Sequence, residues 1–390
     1  MMRIALVASS YLPRFGGVEE HVFHLGRRLR ARGHEVTVWA VDQGDEAPPR
    51  DDGPPLRYLP TPLPTRSLGG VMRFALAAPS ALRSWRAAVR QDAPEVIVVQ
   101  CFGANGPWAA HVAKRAGIPL VYANHGETFM DAHDAFASSQ LLRRSLADVL
   151  RDARAVTSCS SYAAADLDRF GAHREVAVVG NGIDLDAEAS PLAVALPAAY
   201  ITGVGRLVEN KGFDVLIEAY ARARDRLGGA ELIIAGDGPR RADLESKARE
   251  LGVDAHVRFV GALPREQVRT LLDGALVHVV PSHVEAFGLV ILEGWRSGVP
   301  VLATQRGGPG EFMTDGADGL LFDPRDPEGL ARLLTRVAED APLRARLGSG
   351  GRDAVRRFTW DRVADGYEEV FRSAVVAEPP GDAEPRNRLT

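Results

Sequence analysis

The sequence predicts an α/β protein of two tandem open parallel sheets, and three observations point there. Short β-branched runs alternate with segments of helical apolar spacing along almost the whole chain, the pattern of strands joined by covering helices. The length of 390 residues exceeds what one ordinary core supports, so two domains are expected. Between the two series stands Gly180-Asn181-Gly182, followed by an Ala- and Pro-containing stretch to Pro197, whose turn chemistry marks a linker.

The first strand is read at 4–8, then a Gly turn, then a helix in which Val18, Val22, Leu25 and Leu29 recur at helical spacing until Gly33 stops it. Strands follow at 36–41, 96–100, 120–123, 155–159 and 176–179, with helical stretches between them. The second series has strands at 200–204, 231–235, 257–260, 276–280 and 299–303. Its helices are read at 214–223, 240–251, 266–273, 288–296 and 327–339. A last helical pattern at 361–373 precedes a tail, 377–390, rich in Pro, charge and small residues, which is expected to be disordered. The expected organisation is therefore a first domain at 1–182, a second at 183–358, a terminal helical segment at 359–376, and the tail. Open parallel sheets bind ligands at the carboxyl ends of their strands, so two such ends facing one another define a cleft.

Composition excludes some functions. With 46% hydrophobic residues, 25% charged residues and a formal net charge of −4, the chain lacks the basic surface of a general nucleic-acid binder. Cys101 and Cys159 lie in or beside strands and are expected as buried reduced thiols in a reducing compartment. The apolar run at 1–8 is too short for a signal peptide, and no run of about twenty apolar residues occurs, so a cytoplasmic protein is expected. From Arg66 to Arg90 there are five arginines and no acid, interleaved with Met72, Phe74, Leu76 and Trp85. The stretch at 66–90 is a candidate for peripheral contact with anionic lipid, although Pro79 is expected to interrupt its helix and an arginine-lined outer face is common.

The chemistry concentrates after strands of the second series. Gly205-Arg206-Leu207-Val208-Glu209-Asn210-Lys211-Gly212 places two cations in one loop at a strand's carboxyl end. An Arg fork and a Lys point charge suit a diphosphate. Lys211 is one of only three lysines, with Lys114 and Lys247. Further on, Glu285 and Glu293 flank Phe287-Gly288-Leu289, where a helix opens and its free amides attract phosphate. On spacing alone, the two carboxylates read equally well as surface acids.

Glu285 to Glu293 resembles the E-x7-E element of retaining glycosyltransferase family 4, whose members have the GT-B fold. The resemblance extends over nearly the whole chain. Gly16-Gly17-Val18-Glu19 resembles the N-terminal Gly-rich loop, and Arg206 with Lys211 the phosphate-binding pair. Gly236-Asp237-Gly238-Pro239 resembles the G-x-G-P turn, Gly307-Gly308-Pro309-Gly310-Glu311 has the G-G-x-x-E spacing, and Phe358-Thr359-Trp360 opens a segment like the family's C-terminal helix. Each glycine motif is weak alone; five further elements in the family's order beside E-x7-E are strong evidence together.

The resemblance implies a GT-B fold of two Rossmann-like domains whose parallel sheets face across an interdomain cleft. It implies metal-independent, cofactor-free transfer with retention, from a nucleotide-sugar donor, UDP favoured over GDP, to a saccharide, lipid or small-molecule acceptor. Arg206 and Lys211 would hold the diphosphate with Phe287, Gly288 and Leu289 at the helix start. Glu293 would hold the ribose, Glu285 the transferred sugar, and Gly16 and Gly17 would line the opposite wall. His125, in Asn124-His125-Gly126-Glu127 after a strand, occupies the place of the family's active-site His. Two other classes compete. A dinucleotide oxidoreductase needs G-x-G-x-x-G after the first strand, which 9–17 lacks. A non-catalytic nucleotide-sugar-binding protein would keep Arg206 and Lys211 but does not need His125 and Glu285.

Overall fold

The structure is a computed structural model and describes residues 1–12, 16–41, 52–65, 67–130, 135–172 and 174–376. The tail 377–390 and Arg66 lie outside the described residues.

The first sheet has seven parallel strands, β1 (Arg3–Ala8), β2 (Glu35–Ala40), β3 (Leu56–Tyr58), β4 (Val96–Gln100), β5 (Leu120–Asn124), β6 (Ala155–Ser158) and β7 (Ala177–Val178), in the order β3-β2-β1-β4-β5-β6-β7. Its strands are apolar on both faces, as a sheet covered on both sides requires. Ile4, Leu6 and Ala8 of β1 face one layer, with α1 (Gly17–Ala31), while Ala5 and Val7 face the other. That other layer consists of α2 (Leu68–Asp92), α3 (Asn105–Ala116) and α6 (Gln140–Asp152). Two single turns, α4 (Glu127–Met130) and α5 (Ala135–Ser138), precede α6, and α7 (Ser161–Asp166) follows β6.

The second sheet has six parallel strands, β8 (Tyr200–Val204), β9 (Glu231–Ala235), β10 (Val257–Gly261), β11 (Val277–Val280), β12 (Val301–Thr304) and β13 (Leu320–Phe322), in the order β10-β9-β8-β11-β12-β13. Its helices are α8 (Phe213–Ala223), α9 (Arg241–Glu250), α10 (Arg265–Asp273), α11 (Leu289–Ser297), α12 (Pro309–Phe312), α13 (Pro327–Glu339) and α14 (Ala341–Val355). Both sheets reverse direction at their first strand, so the crevices for ligands open between β1 and β4 and between β8 and β11.

The chain then returns to the first domain. In α15 (Trp360–Val376), Trp360, Tyr367 and Phe371 share one core with Leu6, Val22 and Leu25, and Asp365 pairs with Arg32 at 2.6 Å. Cys159 and Ala163 of the first domain pack with Ala286, Phe287 and Trp295 of the second, so an apolar seam crosses the interface. Among the described residues, no helix is long and apolar enough to cross a membrane.

Two sequence expectations are corrected. Pro79 does not interrupt α2, which runs unbroken through it. The proline and Ala75, whose carbonyl loses its partner, are both exposed, so water replaces the missing bond. Cys101 is half-buried rather than buried, and its backbone sits at φ +63° at the end of β4.

Candidate active site

A cavity of about 930 Å³ lies between the carboxyl ends of the two sheets. All ten residues singled out from the sequence line it: Gly16, Gly17 and His125 from the first domain, and Arg206, Lys211, Glu285, Phe287, Gly288, Leu289 and Glu293 from the second.

The second-domain wall is built from strand-end loops that brace one another. After β8, Leu207 N donates to Asp237 O (2.9 Å) and Arg240 N to Leu207 O (3.0 Å), so the Gly236-Asp237-Gly238-Pro239 turn holds the Arg206 loop. Arg206 is exposed and makes no ion pair among the described residues. Lys211 ends a 3₁₀ turn that Gly212 closes at φ +64°; a Cβ there would stand 2.1 Å from Pro281 O, so only glycine lets this loop meet the loop after β11.

That contact brings Lys211 Nζ to 2.6 Å from Glu285 Oε2, the oxygen to which Ser282 Oγ also donates (2.9 Å). The sequence reading gave Lys211 to a diphosphate and Glu285 to a sugar; here the two are partners. The Glu285 backbone is fixed by Arg306 O and Gly308 N, at 3.1 and 2.9 Å. Cβ atoms on Gly307 and Gly308 would sit 2.0 and 2.2 Å from the Glu285 and Ala286 carbonyl oxygens, which explains the paired glycines. Gly288, at φ +93°, opens α11, while the Phe287 ring turns away to stack on Phe312 with centroids 4.9 Å apart.

Glu293, 4% exposed inside α11, is hydrogen-bonded by Arg265. The same guanidinium reaches Glu20 Oε1 of α1 at 2.8 Å and so ties the two domains across the cleft. Burial works against its charge, but Glu293 and Glu20 outweigh burial and hold Arg265 protonated. Burial likewise favours the neutral acid at Glu20, and His24 and Arg265 override it, keeping a carboxylate.

The described first-domain wall carries no cation; its titratable groups are His125 and the carboxyls of Glu19 and Glu127, with the Cys101 and Cys159 thiols. His125 Nε2 lies 2.7 Å from Gln100 Oε1. An amide oxygen only accepts, so that ring nitrogen carries the proton and Nδ1 is left as an acceptor, a tautomer assigned from its partner. Burial, then the His21 ring at 4.6 Å, push the His125 pKa well below its usual value. His21 Nδ1 donates to Asn181 Oδ1 (2.7 Å), and its Nε2 accepts from Tyr367 OH (3.1 Å); burial brings its pKa down to about 4. Behind them Glu127 accepts from Phe102 N (2.6 Å), Tyr122 OH (2.7 Å) and His125 N (2.8 Å), and burial raises its pKa. Gly17 faces the Leu289 methyl at the ordinary contact distance of 3.6 Å from an added Cβ.

The walls are held together directly. Asn210 Nδ2 donates to Met130 O (3.1 Å) and Ser160 Oγ to Ala286 O (2.7 Å). Glu311, the acid of G-G-x-x-E, accepts from Ser161 N and Tyr162 N at 2.8 and 2.5 Å, at the start of α7.

Sequence reasoning missed Arg265, Glu20, Gln100, Tyr367 and the anchoring role of Glu127. None of these carried a local signal: Glu20 stands on α1 opposite the stripe of Val18, Val22, Leu25 and Leu29. The chain has two Asp-x-Asp triplets, Asp166-Leu167-Asp168 and Asp184-Leu185-Asp186, and neither lines the cavity. Among the described residues no three His, Cys, Asp or Glu side chains gather as metal ligands.

Two Rossmann-like domains with parallel sheets facing across a cleft bearing cations and carboxylates define the GT-B class of glycosyltransferases. The chain belongs to glycosyltransferase family 4: residues 15–187 match the model described as Glycosyltransferase Family 4 and residues 189–354 that described as Glycosyl transferases group 1. A glycogen synthase of Mycobacterium tuberculosis is 30% identical over 419 aligned positions, covering 100% of this chain and 98% of that protein. The lipopolysaccharide core biosynthesis glycosyltransferase LpsE of Rhizobium meliloti is 38% identical over 209 residues, 52% of this chain, and the match spans only 60% of its length. Among solved structures, sucrose-phosphate synthase of Thermosynechococcus elongatus superposes with a TM-score of 0.80 at 23% identity, covering 97% of this chain and 100% of that one. HepE of Anabaena, solved with UDP-glucose, gives 0.77 at 23%, covering 96% and 100%. The protein is a glycosyltransferase.

Proposed function

We propose that this enzyme moves a hexose from a UDP-sugar to a hydroxyl of a saccharide acceptor, with retention of anomeric configuration and without a divalent ion. The observation that carries the reading is the single cavity in which Arg206, Lys211, Glu285 and Glu293 on one wall face His125 on the other. The UDP-glucose bound by HepE supports the donor class, and the saccharide products named for LpsE and glycogen synthase support the acceptor class.

In this reading Arg206, Lys211 and the amides opening α11 receive the charge that develops on the departing diphosphate. Lys211 is shared: as negative charge builds on the phosphate, it competes with Glu285 for the ammonium. Glu285 then binds the hydroxyls of the transferred sugar, Glu293 those of the ribose, and His125 offers Nδ1 to a sugar hydroxyl. The acceptor oxygen bonds to the anomeric carbon on the face from which the diphosphate leaves, and its proton passes to a phosphate oxygen. A covalent route needs a free carboxylate nucleophile. Against it, Glu127, Glu285 and Glu293 are all engaged by donors. The two domains are divided at 182/183, and their closure completes the site.

A second contact has its own support. Leu68, Met72 and Leu76 are 90%, 66% and 77% exposed on α2, and helical spacing puts Arg83, Arg86 and Arg90 on the same face. That surface suits anionic lipid.

Nucleotide release from UDP-, GDP- and ADP-sugars, with and without chelator, tests the donor and metal assignments. NMR of the product tests the stereochemistry. Turnover confined to GDP- or ADP-sugars, loss of activity with chelator, an inverted product or an isolable glycosyl-enzyme adduct each removes the corresponding element of the proposal.

A further inference from the structure

Two buried carboxylates, one from each domain, share a single guanidinium, and the reaction described above gives that sharing no role. Arg265 opens α10 and lines the large cavity. Its Nη1 donates to Glu293 of the second domain, and its Nε stands 2.8 Å from Glu20 Oε1 of the first. Glu20 is 2% exposed and Glu293 4%, so water and salt screen the two pairings little. A charge divided between two acceptors in such surroundings responds to whatever else each acceptor binds.

Both ends of this bridge lead to the junction of the domains. On the first-domain side, Glu20 Oε2 lies 3.3 Å from His24 Nε2, and the His24 ring stacks on Trp360 with centroids 4.9 Å apart. Trp360 stands where the chain crosses back: Ile183 N donates to Phe358 O (3.0 Å), and a Cβ on Gly182 would be 2.6 Å from Trp360 N. The two passages between the domains therefore touch at 182–183 and 358–360. On the second-domain side, α10 grips the first passage further along. Arg269 donates to Ala187 O, Thr270 Oγ1 to Ser190 O (2.6 Å), and Ser190 N to Glu266 O (3.0 Å). A shift of α10 thus moves the linker, and a shift of Glu20 moves the start of α15.

We infer that Arg265 is a positioning residue that couples occupancy of the donor's ribose site to the joining of the two domains. This rests on the role proposed above for Glu293 and adds to it the route by which the other domain responds. Ribose hydroxyls that donate to Glu293 take over part of the carboxylate that Arg265 holds. The guanidinium then bears more fully on Glu20, and the first domain is drawn onto the second when nucleotide is present. Linkage makes the effect mutual: Glu20, by pulling on Arg265, frees Glu293 for the ribose and so tightens a nucleotide it does not touch.

Calorimetry on the full chain with UDP and with 2′,3′-dideoxy-UDP, whose ribose has no hydroxyl to offer Glu293, tests the inference on the wild type and on E20Q. That substitution keeps the side chain's shape, and Glu20 does not line the cavity. E20Q should weaken UDP about five-fold or more, the low end of coupling between sites, and leave the dideoxy nucleotide unchanged. Small-angle scattering should show saturating UDP reducing the radius of gyration of the wild type, and the dideoxy nucleotide or E20Q abolishing that change. Equal weakening of both nucleotides by E20Q, or of neither, overturns the inference. So does a wild-type contraction that the dideoxy nucleotide reproduces, or no contraction with UDP; these two arms decide the matter even where E20Q fails to fold. A wild type that binds no UDP, or binds both nucleotides equally, overturns the donor site or the ribose contact of the proposed function instead, and the calorimetry registers that separately.

Discussion

The wall contributed by the second domain carries cations and carboxylates and is local, whereas the described wall of the first carries no cation and is assembled from afar. Arg206, Lys211, Glu285 and Glu293 each lie on a loop or first helical turns just after a strand, and each cation or carboxylate has a counter-charge within reach or stands open to solvent. His125 instead depends on Gln100 for its tautomer, and its neighbour His21 depends on Asn181 and on Tyr367 from the far end of the chain. The difference follows the chemistry. Under the proposed reaction, charge develops on a leaving diphosphate, where cations belong, while a sugar's hydroxyls need a fixed, uncharged acceptor.

The sharpest way to break this contrast is to remove the cations. Arg206→Ala and Lys211→Ala should each lower kcat/KM by roughly two orders of magnitude, about 3 kcal/mol, with both proteins still folded by circular dichroism. Wild-type rates in both variants would empty the charged wall of its role.

Acid should act on the neutral elements. His21 in the first domain and His278 in β11 of the second are both fully buried, and burial brings each to a pKa of about 4. In the unfolded chain these rings titrate near 6.5, so between those values the unfolded state binds the extra proton. Stability is therefore complete above pH 6.5 and lost as pH falls toward 4, on the order of 3 kcal/mol per ring. A melting temperature that stays level from pH 6.5 to 4.5 would contradict the buried neutral state.

Arg265→Met asks whether the two walls are independent. It strands two buried carboxylates, Glu20 and Glu293, and should cost about 2 kcal/mol of stability. It should also change the affinity for UDP, because Glu293 loses its partner. Smaller still, Tyr367→Phe removes one hydrogen bond to His21, expected at about 1 kcal/mol. A fall in kcat with KM unchanged would mark it as positioning the His125 wall, and an unchanged kcat would confine it to packing.

Much of the molecule is legible in the sequence where period and punctuation agree. Strands β4, β8 and β9 and helix α13 have the bounds that apolar runs and flanking Gly or Pro suggest. Strands β3 and β13 are three residues long, too short for any period, and exist because a neighbour pairs with them. Helix α14 has no counterpart in the sequence reading, and its Gly348, Gly350 and Gly351 lower helix propensity; a Cβ on Gly351 would stand 2.4 Å from the Trp295 ring, so close approach to α11 favours glycine there. In the cleft, glycine-flanked loops announce Arg206, Lys211 and Glu285. Nothing local announces Arg265, because its meaning comes from Glu20 and Glu293, which only the fold brings to it.

Because α15 completes the core that α1 and β1 begin, the first domain cannot finish folding when its own residues leave the ribosome. Trp360, Tyr367 and Phe371 emerge more than 150 residues after β7, once the whole second domain has been synthesised. Until then a strip of α1 and the first sheet stays uncovered and open to chaperones. Cutting the chain near residue 355 would remove no residue that lines the cleft, yet it would leave the opposite domain without its closing piece.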